Sequence, residues 1–468
     1  MAWWNRKKAA EPDYRPSKAQ KRNFAAAQNR LVFDGWDTSS NSIDSYLRTD
    51  LPSMRARSRE QTKNNPMLKR AVGLQSKNIV GAKGIMIQPK VSRSNGDLDQ
   101  RANDAIKEAC NDWANNHFDY AGRLSFIEMQ SLWTKTAAVD GEFVAIIHNT
   151  GPYGLQIENV DPELLDCTRN QKETSGNVTR LGVEYRGVRV VALWFRTIDE
   201  WGNYSNAKQT RIPADSVIHN FINYWPNQSR GIPWSYASLS RLKHIDAFDD
   251  SLLTAARAGA SKMGFITGGD DDEELDGGLP IMDFNPGTIT KLGEDEEWQS
   301  YDPTYPGESY APFAKKAQRD VGAGMDLSYA SLSGDMSDVN YSSIRYGGQD
   351  ERDGFIEKQN WLIRSAIKPI YEMWVRNAVL RGQIKIGTYA LSRPVTDYYA
   401  AAYQGRKWLS TDPQKEAKGN ALDLENGLTS PQRIITARGD DPDEIAAEIK
   451  EWQAKTGISY EQKESGQN

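Results

Sequence analysis

The sequence predicts an α+β fold for a chain of 468 residues. Two observations carry that prediction. Stretches with apolar residues at i, i+3 and i+4 spacing flank the middle of the chain, as amphipathic helices require. Between about residues 141 and 223 the pattern changes to short β-branched and aromatic runs separated by Gly, Pro and Asn turns. Strands grouped together rather than alternating with helices define this class. A third observation is negative: no repeat of fixed period and no low-complexity tract interrupts the chain, so solenoid and disordered architectures are excluded.

The elements follow in order. Residues 1–50 are polar, basic and irregular, with Pro12, Pro16 and Gly35, and read as an arm that is extended or ordered by contact with a partner. Helix is expected from Pro52 to about Asn78, broken by Asn64-Asn65-Pro66 because the residue before proline avoids helical backbone. Gly81-Ala-Lys-Gly84 turns the chain into a strand over Ile85–Pro89. Two helices are expected over 97–117 and 124–139, the second opened by the capping box Ser125-Phe-Ile-Glu128. Strands over Glu142–Ile147, Leu155–Glu158, Arg186–Phe195 and Val217–Phe221 follow. From Gly231-Ile-Pro-Trp-Ser235 a long helix runs through Leu239, Leu242, Ile245, Phe248 and Leu252 to about Met263. Residues 264–307 interrupt it with strands, turns and two acidic clusters. Helix resumes over 308–325, stops at a loop near 333–343 and restarts from about 345 to 380. The tail holds helices near 412–426 and 441–456, with Gly427 and Gly457 at C-cap positions, and residues 459–468 fray. Two helices bracketing an insertion form an antiparallel pair that projects the insertion away from the main body.

Composition narrows the function. Fifty-eight Lys and Arg against 63 Asp and Glu give a net charge of −5, which argues against a chain that grips nucleic acid by bulk charge. No run approaches the ~20 apolar residues of a membrane span, and the N-terminus lacks the apolar region of a secretory signal. Two cysteines, Cys110 and Cys167, exclude a disulfide scaffold and a four-thiolate zinc site, and suit a reducing, intracellular birthplace. Fourteen Trp and 20 Tyr serve either a large core or sticky interfaces.

Catalytic motifs are missing. There is no phosphate-binding G-x-x-x-x-G-K-[ST], no G-x-S-x-G, no H-E-x-x-H and no C-x-x-C. The four histidines, His117, His148, His219 and His244, stand too far apart in sequence for paired helical ligation. His219 alternates with apolar residues and reads as structural, His244 sits beside Asp246, and Asp161, Glu163 and Asp166 around Pro162 read as turn formers. Five adjacent acids, Asp270, Asp271, Asp272, Glu273 and Glu274, offer hard oxygen ligands to Mg²⁺ or Ca²⁺. Flanked by Gly268-Gly269 and Gly277-Gly278, they read better as a solvated loop tip, as does Glu294-Asp-Glu-Glu297. No enzyme, cofactor or metal site is therefore expected; the alternative is a metal-dependent DNA-processing enzyme built on the 270–274 carboxylates.

Read in order, a set of short motifs resembles the lambda-type portal proteins of tailed bacteriophages. They are Asn64-Asn-Pro66 with Val80-Gly-Ala-Lys-Gly-Ile85, Arg123-Leu-Ser-Phe-Ile-Glu128, Val139-Asp-Gly-Glu142, Gly182-Val-Glu-Tyr185, and Ile212-Pro-Ala-Asp-Ser-Val-Ile-His219. Ser229-Arg-Gly-Ile-Pro-Trp234, Asn285-Pro-Gly287, Asn340-Tyr-Ser-Ser-Ile-Arg345, Thr411-Asp-Pro-Gln-Lys-Glu416 and Arg438-Gly-Asp440 complete the set. Each is weak alone; their order over residues 50–440 is specific. The resemblance implies a portal fold assembled as a ring, usually of twelve copies, at one capsid vertex of the virion, made in the host bacterial cytoplasm. It implies double-stranded DNA passing through the ring, and as partners the terminase large subunit, head–tail connector proteins, and major capsid and scaffold proteins, with no membrane.

The family's parts then fall on this chain as expectations: an arm at 1–50, a wing at 51–235 continued by the long helix and following strands at 345–404, stem helices at 236–263 and 308–332, a clip at 264–307, a channel loop at 333–344, and a crown at 405–458. Asp246, Asp249 and Asp250 share one helix side and are candidates to face the channel, where an acidic wall keeps DNA mobile. Gly334, Asp335, Asp338, Asn340, Tyr341, Ser342, Ser343 and Arg345 are the candidates for the loop nearest DNA. The acids 270–274 with Trp298, Tyr301 and Tyr305 are the candidate docking surface of the clip. Arg55, Arg57, Arg59 and Lys63 are expected to pair with a neighbour's acids, DNA or a scaffold, and ring closure is expected to account for the aromatic excess.

Overall fold

The structure, a computed structural model, describes residues 40–260, 264–267, 297–300, 310–337, 341–384, 394–408 and 412–458. Helix begins earlier than Pro52 suggests: α1 (Ile43–Asn64) carries that proline inside it. Leu47 and Leu51 are fully buried there, against Leu181, Ile232 and Cys167. Burying two leucines is worth about 1.5–3 kcal/mol each, enough to offset the roughly 3 kcal/mol that an interior proline costs. Asn65 then caps α2 (Pro66–Ile79), accepting from the amides of Met67 at 2.9 Å and Leu68 at 3.2 Å. β1 (Met86–Pro89) leads to α3 (Gln100–Asp112), which runs into a π-turn at Trp113–His117. The Ser125/Glu128 capping box opens α4 (Phe126–Asp140).

The strand block is richer than its sequence pattern. β2 (Glu142–His148), β3 (Gln156–Val160) and a later strand form a three-stranded antiparallel sheet, with β2 central. β4 (Gln171–Lys172), β5 (Val178–Arg180), β6 (Val183–Arg186), β7 (Arg189–Ile198) and β8 (Tyr204–Pro213) form a five-stranded meander. The strand completing the first sheet is β9 (Val217–Phe221), in register Val144↔His219. β8 escapes a hydrophobicity reading because it is a largely polar edge strand; it is held by backbone pairing to β7, as in Phe195↔Thr210.

α5 (Leu239–Ala260) starts after a bend rather than at Gly231. β10 (Gly264–Thr267) and β11 (Glu297–Ser300) pair antiparallel, and α6 (Tyr310–Ala323) follows. The helix expected over 308–332 is interrupted: α6 ends, the chain turns through Asp326 at φ 55°, and Ser328 caps the short α7 (Tyr329–Ser333). α8 (Tyr341–Leu362) continues through a π-turn at Ile363–Ile367 into α9 (Lys368–Leu380). β12 (Ala401–Gln404) returns to pair with β1, Met86 opposite Gln404, so the C-terminal region closes on the N-terminal one. α10 (Pro413–Glu425), α11 (Pro431–Arg438) and α12 (Pro442–Thr456) each begin with proline behind a capping Asp or Ser. Gly427 and Gly457 take the left-handed conformation expected of them. α11 was not visible in the periodicity.

The core takes up some of the aromatics. Trp113 stacks on Trp374 at 5.1 Å, Trp133 stacks on Phe143 at 5.0 Å, and Phe118 packs on Phe126 at 4.7 Å, all buried. Other aromatic side chains stay at the surface, Trp201, Tyr224, Trp225, Tyr236 and Trp452 among them. No helix among the described residues is long and apolar enough to cross a membrane.

Candidate functional site: a helix pair with a β tip and the loop behind it

α5 and α6 lie antiparallel, and their contacts define the register. Phe248 stacks on Tyr310 at 6.1 Å and packs on Phe313 at 5.0 Å. Tyr310 donates its hydroxyl to Asp249 at 3.0 Å, Arg241 pairs with Asp320 at 3.2 Å, and the Ser238 hydroxyl donates to the carbonyl of Val321 at 3.0 Å. Leu242, Ile245, Ala317 and Val321 are buried at the body end of the pair, whereas Phe248, Leu253 and Phe313 stay 39%, 50% and 46% exposed farther out. The pair is therefore rooted in the core and leaves an apolar face uncovered along its length. The β10–β11 ribbon joins the ends of the two helices, with Phe265 opposite Gln299.

The body holds a buried ionic node. Glu142, at the start of β2, has no exposed surface and receives Arg230 at 2.6 Å, Arg55 at 2.6 Å, the amide of Gly231 at 2.7 Å and His219 at 3.0 Å. Burial opposes its charge, but Arg230, Arg55 and His219 hold its carboxyl well below the usual range. Arg230 also donates to the carbonyls of Leu165, Leu181 and Pro162, so each nitrogen of its buried guanidinium has a partner. Gly141 has φ 88°, and a Cβ there would lie 2.2 Å from the carbonyl carbon of Ile232. The motifs Val139-Asp-Gly-Glu142, Val217-Ile-His219 and Ser229-Arg-Gly-Ile-Pro-Trp234, distant in sequence, meet here.

This overturns the expectation for Arg55 and Arg59. Arg55 is buried against Glu142, and Arg59 binds Asp140 at 2.6 Å and Asp161 at 2.5 Å. Both serve the subunit's own interior; Arg57 and Lys63 remain exposed. Asp161 does form its turn, accepting from the amide of Glu163 at 2.9 Å, but also binds Arg59 and the Tyr204 hydroxyl. Asp166 accepts from Arg196 and Thr168.

Behind the helix pair the loop is pinned at its near end. Gly334 caps α7 at φ 77°, Arg70 of α2 donates to the carbonyl of Ser331 at 3.0 Å, and Glu351 of α8 accepts from Ser331 at 2.8 Å and Ser328 at 3.1 Å. Asp335 accepts from Ser337 at 2.6 Å and from Tyr329 at 2.9 Å, hydrogen bonds that pull its carboxyl down to about 2. Helix resumes at Tyr341, so Tyr341, Ser342 and Ser343 belong to the first turn of α8 rather than to a loop ending at 344. Tyrosine and serine disfavour helix interiors but are tolerated in a first turn, where several amides lack intrahelical partners. Arg345 lies on α8 as well. Asp338 and Asn340 lie outside the described residues.

The other candidates separate. Asp246 is half-buried and accepts from Asn65 at 2.8 Å, with burial raising its pKa; its partner is the α2 cap rather than His244. Asp249 takes the Tyr310 hydroxyl, and Asp250 is exposed. Only Asp249 and Asp250 present acid outward. Asp270, Asp271, Asp272, Glu273, Glu274, Tyr301 and Tyr305 lie outside the described residues, and Trp298 is placed on β11 by its backbone. His219 is satisfied by Glu142. Sequence reasoning missed the Glu142–Arg230 node; Gly141 and Gly231 were its signal, since two backbones approach closely only where side chains are absent.

Among the described residues no three His, Cys, Asp or Glu side chains gather to hold a metal. What the fold builds is a helix pair buried at its body end and partly uncovered beyond it. The family to which this chain belongs is the lambda family of phage portal proteins, whose model matches residues 31–359. It is 29% identical to the probable portal protein of Halomonas phage phiHAP-1 over 473 residues, covering 96% of this chain and 90% of that one. It is 21% identical to portal protein B of Escherichia phage lambda, over 88% of this chain and 85% of that one. Among solved structures it is similar to a chain from the neck of an empty gene transfer agent particle, at 13% identity and TM-score 0.44, over 84% of this chain and 94% of that one.

Proposed function

We propose that copies of this portal protein close into a ring, about twelve in number, at one vertex of a capsid, and that double-stranded DNA passes through it during packaging and ejection. The observation that carries the reading is the α5–α6 pair. Its apolar face at Phe248, Leu253 and Phe313 is uncovered in one copy, and exposed apolar surface on a projecting element marks an interface. A heterologous interface between identical copies closes into a ring when the rotation fits.

In this reading the wing is 51–235 with 341–404, the stem is 236–263 with 308–333, the clip is 264–307, the channel loop is 334–340 and the crown is 405–458. Asp249 and Asp250 face the channel, and the loop from Gly334 to the first turn of α8 meets the duplex without reading its sequence. The clip docks the terminase large subunit and later the head–tail connector proteins; capsid and scaffold proteins contact the outer surface. The protein is a conduit of the virion and not an enzyme.

The test is imaging and mass measurement of the purified protein. An annulus with a central hole is expected, and a stable monomer near 52.6 kDa overturns the ring.

A further inference from the structure

The chain is acidic overall, yet one groove is not. Where α2 ends, the turn before β1, the segment after β12 and the end of α11 come together around a cavity of about 350 Å³. Lys77, Lys83, Arg406, Lys407 and Arg438 line it, and no carboxylate side chain does. Lys77, Lys83, Lys407 and Arg438 are exposed, and Arg406 is half-buried.

Internal partners do not balance these charges. Lys83 lies 3.3 Å from Asp440 at the groove's rim. Arg406 donates to the carbonyl of Lys77 at 2.7 Å and lies within cation–π range of Trp408. Among the described residues Lys77, Lys407 and Arg438 form no ion pair. Two helix ends reach the groove, α2 and α11, and each contributes roughly half a negative charge. Two half-charges and one rim carboxylate fall short of five cations. Burial and the like charge of Arg352 pull the Arg406 guanidinium below its usual value.

We infer that this groove binds the phosphate backbone of double-stranded DNA, at a site separate from the α5–α6 pair and residues 334–337. The cations come from four segments, and their heads are mostly solvent-exposed. Such an array of point charges suits evenly spaced phosphates and needs no base contact. An acidic protein segment would call for an apolar anchor beside the charges, and Val80, Ala82 and Met86 are the only aliphatic side chains among the lining residues. The choice of duplex DNA over another polyanion rests on the portal reading. Phosphates seated here would also tie α11, in the C-terminal helical region, to α2 in the body.

The experiment measures binding of a fluorescent 20-base-pair duplex to the full-length protein by anisotropy across a NaCl series. Log affinity is expected to fall with log salt at a slope of about −3 to −5 for four or five phosphates. The triple variant Lys77→Gln/Lys407→Gln/Arg438→Gln should reduce that slope by about 2–3 and weaken binding at least tenfold at low salt. None of the three has a side-chain partner to lose, so the melting temperature should stay at the wild-type value. An unchanged slope in the variant overturns the assignment. A poly-glutamate peptide that binds as tightly as the duplex and loses affinity in the same variant also overturns it, in favour of an acidic protein partner. Negative-stain images of the same sample report ring formation independently, so loss of the ring and loss of the groove are told apart.

Discussion

Glu184 shows how a single side chain in the meander reports on pH. It sits on β6 with almost no exposed surface and accepts from Arg211 at 2.7 Å, Asn177 at 2.6 Å and the Trp194 indole at 3.0 Å. The Arg211 hydrogen bonds lead the other causes and hold its pKa down to about 2. A carboxyl depressed in the folded state stabilises the fold above its unfolded pKa, near 4.5, and loses that contribution as pH falls toward 2. Glu184→Gln should therefore be less stable than wild type at pH 7, and the gap should close between about pH 4.5 and 2. Denaturant midpoints of both proteins across that range check it; a gap independent of pH would remove the ionic role. The residue scale was also where sequence was least legible. Arg55, Arg57 and Arg59 look alike on paper, and only the fold separates the two paired inside the subunit from the one that is exposed. Charge type is written in the chain, but a partner 80 or more positions away, as Asp140 is from Arg59, is not.

At the scale of elements, the junction between α4 and β2 turns on Gly141. Its left-handed backbone ends α4, and the missing side chain lets the Gly231–Ile232 backbone pass against it. Gly141→Ala should combine backbone strain of about 1–3 kcal/mol with displacement of that neighbouring chain, and so cost roughly 3 kcal/mol or more. Circular dichroism melts of the two proteins test this; a loss below about 1 kcal/mol would mean that the two segments separate freely. Elements with strong local signals were legible: the break at Asn64-Asn65-Pro66 follows from proline chemistry, the Ser125/Glu128 box from capping chemistry, and the antiparallel pairing of α5 with α6 from two helices bracketing an insertion. Those stabilised from elsewhere were not. β8 depends on β7, α1 extends ahead of Pro52 because Leu47 and Leu51 find a core, and α11 is a short helix defined by Ser430 and Gly439 at its ends rather than by an apolar stripe.

At the scale of the whole molecule, net charge has to be read by location. A total of −5 conceals a five-cation groove at one place and outward acids on α5 at another, and no composition count distributes them. In the proposed ring, Asp249 and Asp250 from every copy line one band of the channel. Reversing both to Lys would place on the order of two dozen cations around the duplex in a ring of about twelve. Each phosphate they neutralise adds to a salt-dependent affinity, with a slope near −0.9 per contact. Affinity for a moving duplex acts as friction, so the variant should assemble normally yet package DNA more slowly. The deficit should be largest at low salt and shrink as salt rises, because screening weakens the grip. Asp249→Asn/Asp250→Asn removes the acids without adding cations and should fall between the two. An in vitro packaging assay across a salt series reads all three proteins, and equal rates at low salt would place these aspartates away from the DNA path.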